Sequence, residues 1–200
     1  MQHIYNPDFQ NQNLAARTTA AFDKLADVFK TMLWASQKKN GFSPLQLKLL
    51  LYTAYHKPTE NTINQFVEEF KITKATVSDC IKTLEKQELL TKVLNHKDNR
   101  RFQIQLTDHG KQIISQIEEY SSPLLAVLNT EKKEDLEQLY ISLFSLLSKL
   151  DAQNIMPLRR SCADCKAYRS DGINHAFCMQ LRIQLPSQNR RIDCPTYQNT

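Results

Sequence analysis

Glycine is scarce, with three in 200 residues, which argues against a turn-dense all-β chain and for a helical one. No apolar run approaches the roughly 20 residues of a membrane-spanning helix. The opening MQHIYNPDFQNQN has neither a basic n-region nor an apolar h-region, so no signal peptide is expected and the protein is placed in the cytoplasm. Catalytic signatures are missing too: there is no Gly-rich phosphate loop, no H-E-x-x-H, and no Ser or Cys nucleophile beside a paired base. The expectation is a protein that is not an enzyme. Cysteine is nearly absent from the first 150 residues, where Cys80 stands alone, and four more crowd into the last fifty. With 41% hydrophobic and 24% charged residues, the composition suits one substantial globular domain plus a small appendage.

What is present is organised around Ile72 to Gly110, ITKATVSDCIKTLEKQELLTKVLNHKDNRRFQIQLTDHG. Thr73 is a good N-cap, and at about 100° per residue Val77, Cys80, Ile81 and Leu84 share one side while Ala75, Asp79, Lys82 and Lys86 lie opposite. Upstream, TINQFVEEF places Ile63, Phe66, Val67 and Phe70 at helical spacing, and only Lys71 and Ile72 separate it from the capping Thr73. Two short helices joined so tightly suit a helix-turn-helix, whose second helix enters the major groove. After Leu90 the segments TKVLN and RFQIQL alternate and are rich in β-formers, with His96, Lys97, Asp98 and Asn99 as the turn of a wing. The net charge of +5 is modest, but Lys71 to Arg101 carries eight basic and four acidic residues, a local +4. That excess is the electrostatic footprint expected of a DNA binder.

These residues resemble the MarR family of bacterial transcriptional regulators. The matching elements are ITKATVSDCIKTLEKQELLTK, then Asp98-Asn99-Arg100-Arg101, then Leu106-Thr107-Asp108-His109-Gly110, and the resemblance covers about residues 12 to 150. It implies a mainly α fold with a small β-wing, a homodimer, and a palindromic DNA operator. Two departures stand out. The family usually has Gly where this chain has Glu88, so the turn leaving the recognition helix is expected to take another conformation. The usual Asp-Arg-Arg of the wing is Asp98-Asn99-Arg100, with Arg101 one place later.

Around this centre the chain divides into an N-terminal arm and dimerisation helix (1–40), a winged helix-turn-helix lobe (41–110), C-terminal dimerisation helices (111–150) and a Cys-rich tail (151–200). The first dozen residues read as a polar arm. A long helix follows from Leu14 to Lys39, closed by Asn40 and Gly41. Ser43 and Pro44 open the next, whose LQLKLLLYTAY body is apolar enough to be central. Thr107 caps a helix to about Leu128 that Pro123 interrupts or bends, and Thr130 with Glu131 opens another through Leu150. The dense apolar sets of these last helices favour a helical dimer interface.

The tail spaces Cys162, Cys165, Cys178 and Cys194 as C-x2-C-x12-C-x15-C, with His175 three residues before the third. A C-x2-C pair lets two thiolates of one turn reach one metal, and two more complete a four-coordinate site. Fifty residues with few apolar side chains have little else to hold them together. Disulfides are disfavoured in a reduced compartment. Zinc and a [4Fe-4S] iron–sulfur cluster need the same four thiolates and both stay open, with a slight lean to the cluster from Asp193-Cys194-Pro195-x-Tyr197. His175 is assigned outside the ligand set, and Cys80 is read as a small core hydrophobe. The arginines 159, 160, 169, 182, 190 and 191 give the tail its own positive charge, available to solubilise it, to hydrogen-bond cluster sulfurs or to touch phosphate.

The expected activity is therefore sequence-specific binding to a palindromic duplex. Lys74, Thr76, Ser78, Asp79 and Lys82 would meet the major groove, and Arg100 or Arg101, oriented by Asp98, the minor groove. The state of the tail would tune DNA affinity by biasing the dimer helices it follows. Two alternatives are a structural-zinc regulator that senses a small-molecule effector, and a metal-dependent module for a protein partner. No membrane partner is expected.

Overall fold

The computed structural model describes residues 3–95, 98–171 and 176–198. Its elements are α1 (Pro7–Gln12), α2 (Leu14–Asn40), α3 (Pro44–Tyr55), α4 (Ile63–Phe70), α5 (Lys74–Lys86), β1 (Leu90–Asn95) and β2 (Asp98–Leu106). After them come α6 (Asp108–Glu118), α7 (Ser122–Leu128), α8 (Lys133–Ala152), β3 (Tyr168–Ser170), β4 (Ala176–Cys178) and β5 (Ile183–Gln184). This is a mainly helical chain with a two-stranded antiparallel wing and an added C-terminal region built on a small sheet. No helix among the described residues is long and apolar enough to cross a membrane. The chain forms two compact units, one of residues 1–55, 80–91 and 106–125, the other of 56–79, 92–105 and 126–200.

In the first unit α3 packs on α6, and α2 on α3, α6 and the 3-10 turn Glu119–Ser121. Leu47, Leu49, Leu50, Ile81, Leu84, Leu89 and Ile117 are fully buried there. Helix ends follow the local rules. Asn13 caps α2 by accepting from the Ala16 N–H, and Gly41, at φ 76°, ends it by donating to the Gln37 carbonyl at 2.7 Å. Ser43 and Gln46 cap α3 reciprocally, the Ser43 N–H reaching Gln46 Oε1 at 2.7 Å and the Gln46 N–H reaching Ser43 Oγ at 3.3 Å. Thr107 caps α6 through the Gly110 N–H at 2.9 Å.

Three details differ from the sequence reading. The first dozen residues include a helix, because Asn6 caps it by accepting from Asp8 and Pro7 stands at its first position. The last long helix starts at Lys133, since the Thr130 hydroxyl donates back to the Val127 carbonyl at 2.7 Å and so finishes α7 instead of capping α8. Glu88 does not force a new turn. It takes φ 57°, the left-handed conformation a glycine would supply, and the Leu89 N–H closes back onto the Leu84 carbonyl at 3.0 Å. A non-glycine residue held there costs roughly 1–2 kcal/mol.

In the second unit Thr62 caps α4 and Phe66 is fully buried. β3, β4 and β5 form an antiparallel sheet in that order, with Tyr168 opposite Cys178 and Cys178 opposite Ile183. The tail does have an apolar nucleus: Phe144 with Cys162, Ala167, Ala176, Cys178 and Leu185, flanked by Tyr140, Tyr168 and Leu181. Phe144 and Tyr140 belong to α8, so a helix expected to serve dimerisation gives one face to the tail.

Candidate nucleic-acid interface and thiol site

The helix-turn-helix is made by three local choices. α4 ends where Lys71 enters the left-handed region at φ 51°, which reverses the chain within one residue. Ile72 follows, and Thr73 then accepts from the Thr76 N–H at 3.2 Å to start α5. Along α5 Val77, Ile81 and Leu84 are fully buried and Cys80 nearly so, whereas Lys74, Thr76, Asp79 and Lys82 are exposed. Ser78 sits half-buried at the edge of that face, and the Thr76 hydroxyl pairs with that of Thr73 at 2.8 Å. The exposed set is short, polar and mixed in sign, chemistry suited to base edges and phosphates.

The wing carries β1 from Leu90 and β2 from Asp98, so both strands run longer than the segments TKVLN and RFQIQL. His96 and Lys97 lie outside the described residues, as do the side chains of Asp98, Arg100 and Arg101. The wing is tied in at its base: the Ile104 N–H donates to the carbonyl of Asn61 at 2.7 Å, and both residues are buried. Gly110 is required by packing. A Cβ there would lie 2.2 Å from the Leu89 carbonyl oxygen and 3.1 Å from Leu106 Cδ2.

Residues 32–117 match the family model for the transcriptional regulators SarA/Rot. The chain is 28% identical over 117 residues to the organic hydroperoxide resistance transcriptional regulator of Bacillus subtilis (strain 168), covering 58% of this chain and 77% of that one. Both matches are to transcriptional regulators, and residues 32–117 take in the helix-turn-helix and its wing. A second relative, the HTH-type transcriptional regulator BilQ of Clostridioides difficile (strain CD3), is 31% identical over 70 residues, 34% of this chain and 47% of that one. The fold agrees with S. aureus MepR in its DNA complex (TM-score 0.57) and in its DNA-binding conformation (TM-score 0.60). Each is 22% identical over 66% of this chain, and 97% and 98% of MepR are covered. The match is to regulators rather than enzymes.

The SarA/Rot match ends at residue 117, well before the four cysteines of the tail. All five cysteines are unbridged; Cys162, Cys178 and Cys194 are buried and Cys165 is half-buried. Three of the four tail sulfurs accept hydrogen bonds: Cys162 from the Arg191 N–H at 3.2 Å, Cys178 from the Leu181 N–H at 3.4 Å, and Cys194 from Arg191 Nη1 at 3.6 Å. Burial pushes the Cys162 thiol up; the Arg191 N–H opposes this, and the neighbouring Cys194, Cys165 and Cys178 thiols add to it. Cys162 is therefore the thiol that the other three surround closely enough to influence. Among the described residues, no three His, Cys, Asp or Glu side chains are arranged to hold a metal ion as they stand. Cys80 is apart from this group, its thiol pushed up to about 11 by burial alone.

The residues flanking the cysteines close the module. The Tyr197 hydroxyl donates to Asp164 at 2.7 Å, joining the last segment to the Cys162–Asp164 turn. Arg160, left-handed at φ 64° and buried, donates to Asp193 Oδ1 at 2.8 Å and to the Cys194 carbonyl at 3.0 Å. Asp193 also meets His56 Nε2 at 2.7 Å. Burial works to raise the Asp193 carboxyl, but the hydrogen bonds from His56 and Arg160 outweigh it and hold the group down at about 2. The sequence marks the cysteines and Asp193 but not His56 or Glu60, the residues that pair with Asp193 and Arg160. No local signal marks them, because their partners lie more than ninety residues away in the chain.

Proposed function

We propose that the protein is a MarR/SarA-type DNA-binding transcriptional regulator, that it binds a palindromic operator as a homodimer and that Cys162, Cys165, Cys178 and Cys194 hold a zinc ion or a [4Fe-4S] cluster. The observation that carries the DNA reading is the division of α5 into a buried apolar side and an exposed one bearing Lys74, Thr76, Asp79 and Lys82. Arg100 and Arg101, with Asp98, supply the wing's contact to the minor groove. Homodimerisation is supported by the apolar side chains that α2 leaves exposed, Phe22, Leu25, Val28, Phe29 and Trp34, together with Leu139 and Leu146 of α8. A symmetric pair sets two recognition helices about one helical turn of DNA apart.

For the tail, the donor chemistry fits. Four thiols in one small module, with N–H groups already aimed at three of them, suit thiolates bound to a metal, since such donors offset sulfur's negative charge. A bound centre would supply the cross-link that the small apolar nucleus lacks. Residues Arg191 and Leu181 hold sulfur orientation from the backbone, while Tyr197 and Arg160 hold the two ends of the module together.

One preparation tests both parts. Protein purified without oxygen is expected to carry either zinc without colour or iron and sulfide with a brown absorption, at one site per chain, and to be a dimer by light scattering. Selection from a random duplex library should return an inverted repeat, with affinity falling steeply as salt rises. A monomer, or a selected site without symmetry, would remove the dimer reading. Protein free of zinc and iron would remove the thiolate centre.

A further inference from the structure

From the ion pairs between the tail and the helix-turn-helix, we infer that the thiol site controls DNA binding through a direct clamp, Arg160 and Asp193 against Glu60 and His56. The inference rests on the four-thiolate reading above, and it replaces the route through the dimer helices. All the residues involved lie in the second compact unit.

The segments that carry Cys162 and Cys194 are zipped together. The Cys162 N–H donates to the Arg191 carbonyl at 2.9 Å, the Arg191 N–H donates to Cys162 Sγ at 3.2 Å, and the Cys194 N–H donates to the Arg160 carbonyl at 2.9 Å. Any movement of either sulfur is therefore felt at Arg160 and Asp193, which stand beside these cysteines in the chain. Those two side chains point at the stretch leading into α4. Arg160 pairs with Glu60, and Asp193 meets His56, whose side chain is 11% exposed. On the flank of α4, Arg159 pairs with Glu68 at 3.0 Å.

The clamped stretch, His56 to Asn61, is the one that sets the wing and α4. The side-chain N–H of Asn61 donates to the His56 carbonyl at 3.5 Å, and the backbone carbonyl of Asn61 receives the Ile104 N–H of β2 at 2.7 Å. Thr62, next in line, caps α4. A centre held by Cys162 and Cys194 would fix Arg160 and Asp193 through these bonds, and with them the wing base and α4. The loaded protein is the tighter DNA binder. Contiguity alone does not establish coupling between sites, so the test is a thermodynamic one.

Metal-loaded protein and the same protein stripped by a chelator are titrated with the selected operator duplex, as wild type, Glu60→Gln and His56→Gln. Both substitutions lie outside the thiol site and outside the α5 and wing contacts. Wild type is expected to lose at least fivefold in affinity on stripping, a change in the ordinary range of allosteric coupling. In the variants the loss shrinks to within twofold while metal content stays at one site per chain. Hydrogen exchange gives an independent readout: protection of the Ile104 N–H rises on loading in wild type and not in the variants. Should Glu60→Gln fail to fold, His56→Gln carries the comparison. A full fivefold loss retained in the folded variants, or equal affinity of loaded and stripped wild type, overturns the clamp while leaving the thiolate centre in place. Wild type without metal overturns the thiolate centre itself, and the clamp with it.

Discussion

The winged-helix region and the cysteine tail are stabilised by different means. Between Pro44 and Glu118 the chain is held by apolar side chains buried to completion, Leu47, Leu49, Leu50, Phe66, Val77, Ile81, Leu84 and Ile104 among them, and by helix caps within three residues of what they cap. Between Asp151 and Gln198 the buried set is small, and two of its aromatic neighbours, Tyr140 and Phe144, come from α8. The rest is sulfur, carboxylate and guanidinium. The first region can exchange one apolar residue for another and keep its fold. In the second, specification rests on a few polar partners, so single changes should act abruptly.

The largest effect expected is at the thiols. Cys162→Ser with Cys165→Ser removes half of the proposed ligands, and structural metal sites of this kind carry on the order of 10 kcal/mol of folding free energy. Residues 151–198 should become sensitive to limited proteolysis, with loss of exchange protection at the Met179 and Leu185 N–H groups, which donate to Ala167 at 2.8 Å and Ala176 at 2.7 Å. The region from Pro44 to Glu118 should stay protected. An unaltered tail would mean that its apolar nucleus suffices and that the two regions are not so different.

Next comes the apolar side of the comparison. Phe66→Ala empties a fully buried site on α4 and should cost about 3–5 kcal/mol in denaturant unfolding, with DNA binding lost at moderate temperature. Gly110→Ala should cost roughly 1–3 kcal/mol, because the added methyl meets backbone, the Leu89 carbonyl, rather than a side chain able to turn away. A neutral result at Gly110 would show that α6 can slide away from Leu89 without penalty.

A smaller change of opposite sign sharpens how much of the fold was legible. Thr73, Ser43 with Pro44, Gly41 and the apolar phase of α5 announce their helices because caps and faces act over a few residues. Asn6-Pro7 carries the same kind of signal for α1, which the polar composition of the arm obscured. Glu88 departs from its residue-type preference for a physical reason: a residue unsuited to left-handed backbone is held there by the bond from Leu89 to Leu84 and by the Thr107 hydroxyl on its own carbonyl. Glu88→Gly should therefore stabilise the protein by about 1 kcal/mol, read as a raised denaturation midpoint. The four cysteines were visible as a group by spacing. The ion pairs from Arg160 to Glu60 and from Asp193 to His56 were not, because nothing local records a partner 100 or more residues away.

The smallest effect sets the fifth cysteine against the other four. Cys80 is 9% exposed on the inner side of α5, and burial lifts its thiol to about 11, against about 8.5 in an unfolded chain. A raised folded value means that its contribution to stability is complete below about pH 8.5 and is lost progressively as pH climbs toward 11. Cys80→Ala should flatten that alkaline decline while leaving stability near pH 7 little changed. With its thiol pushed up by burial, Cys80 is the poorest nucleophile of the five at pH 8, so iodoacetamide added to chelator-stripped protein should label the tail first and Cys80 last, by mass spectrometry of timed samples. Cys194 should lead that order. Burial raises its thiol, but hydrogen bonds from Thr196 and Arg191 and the arginine's charge bring it below its ordinary value. Early labelling of Cys80 would place it with the reactive thiols and erase the distinction between a cysteine that packs and cysteines that bind.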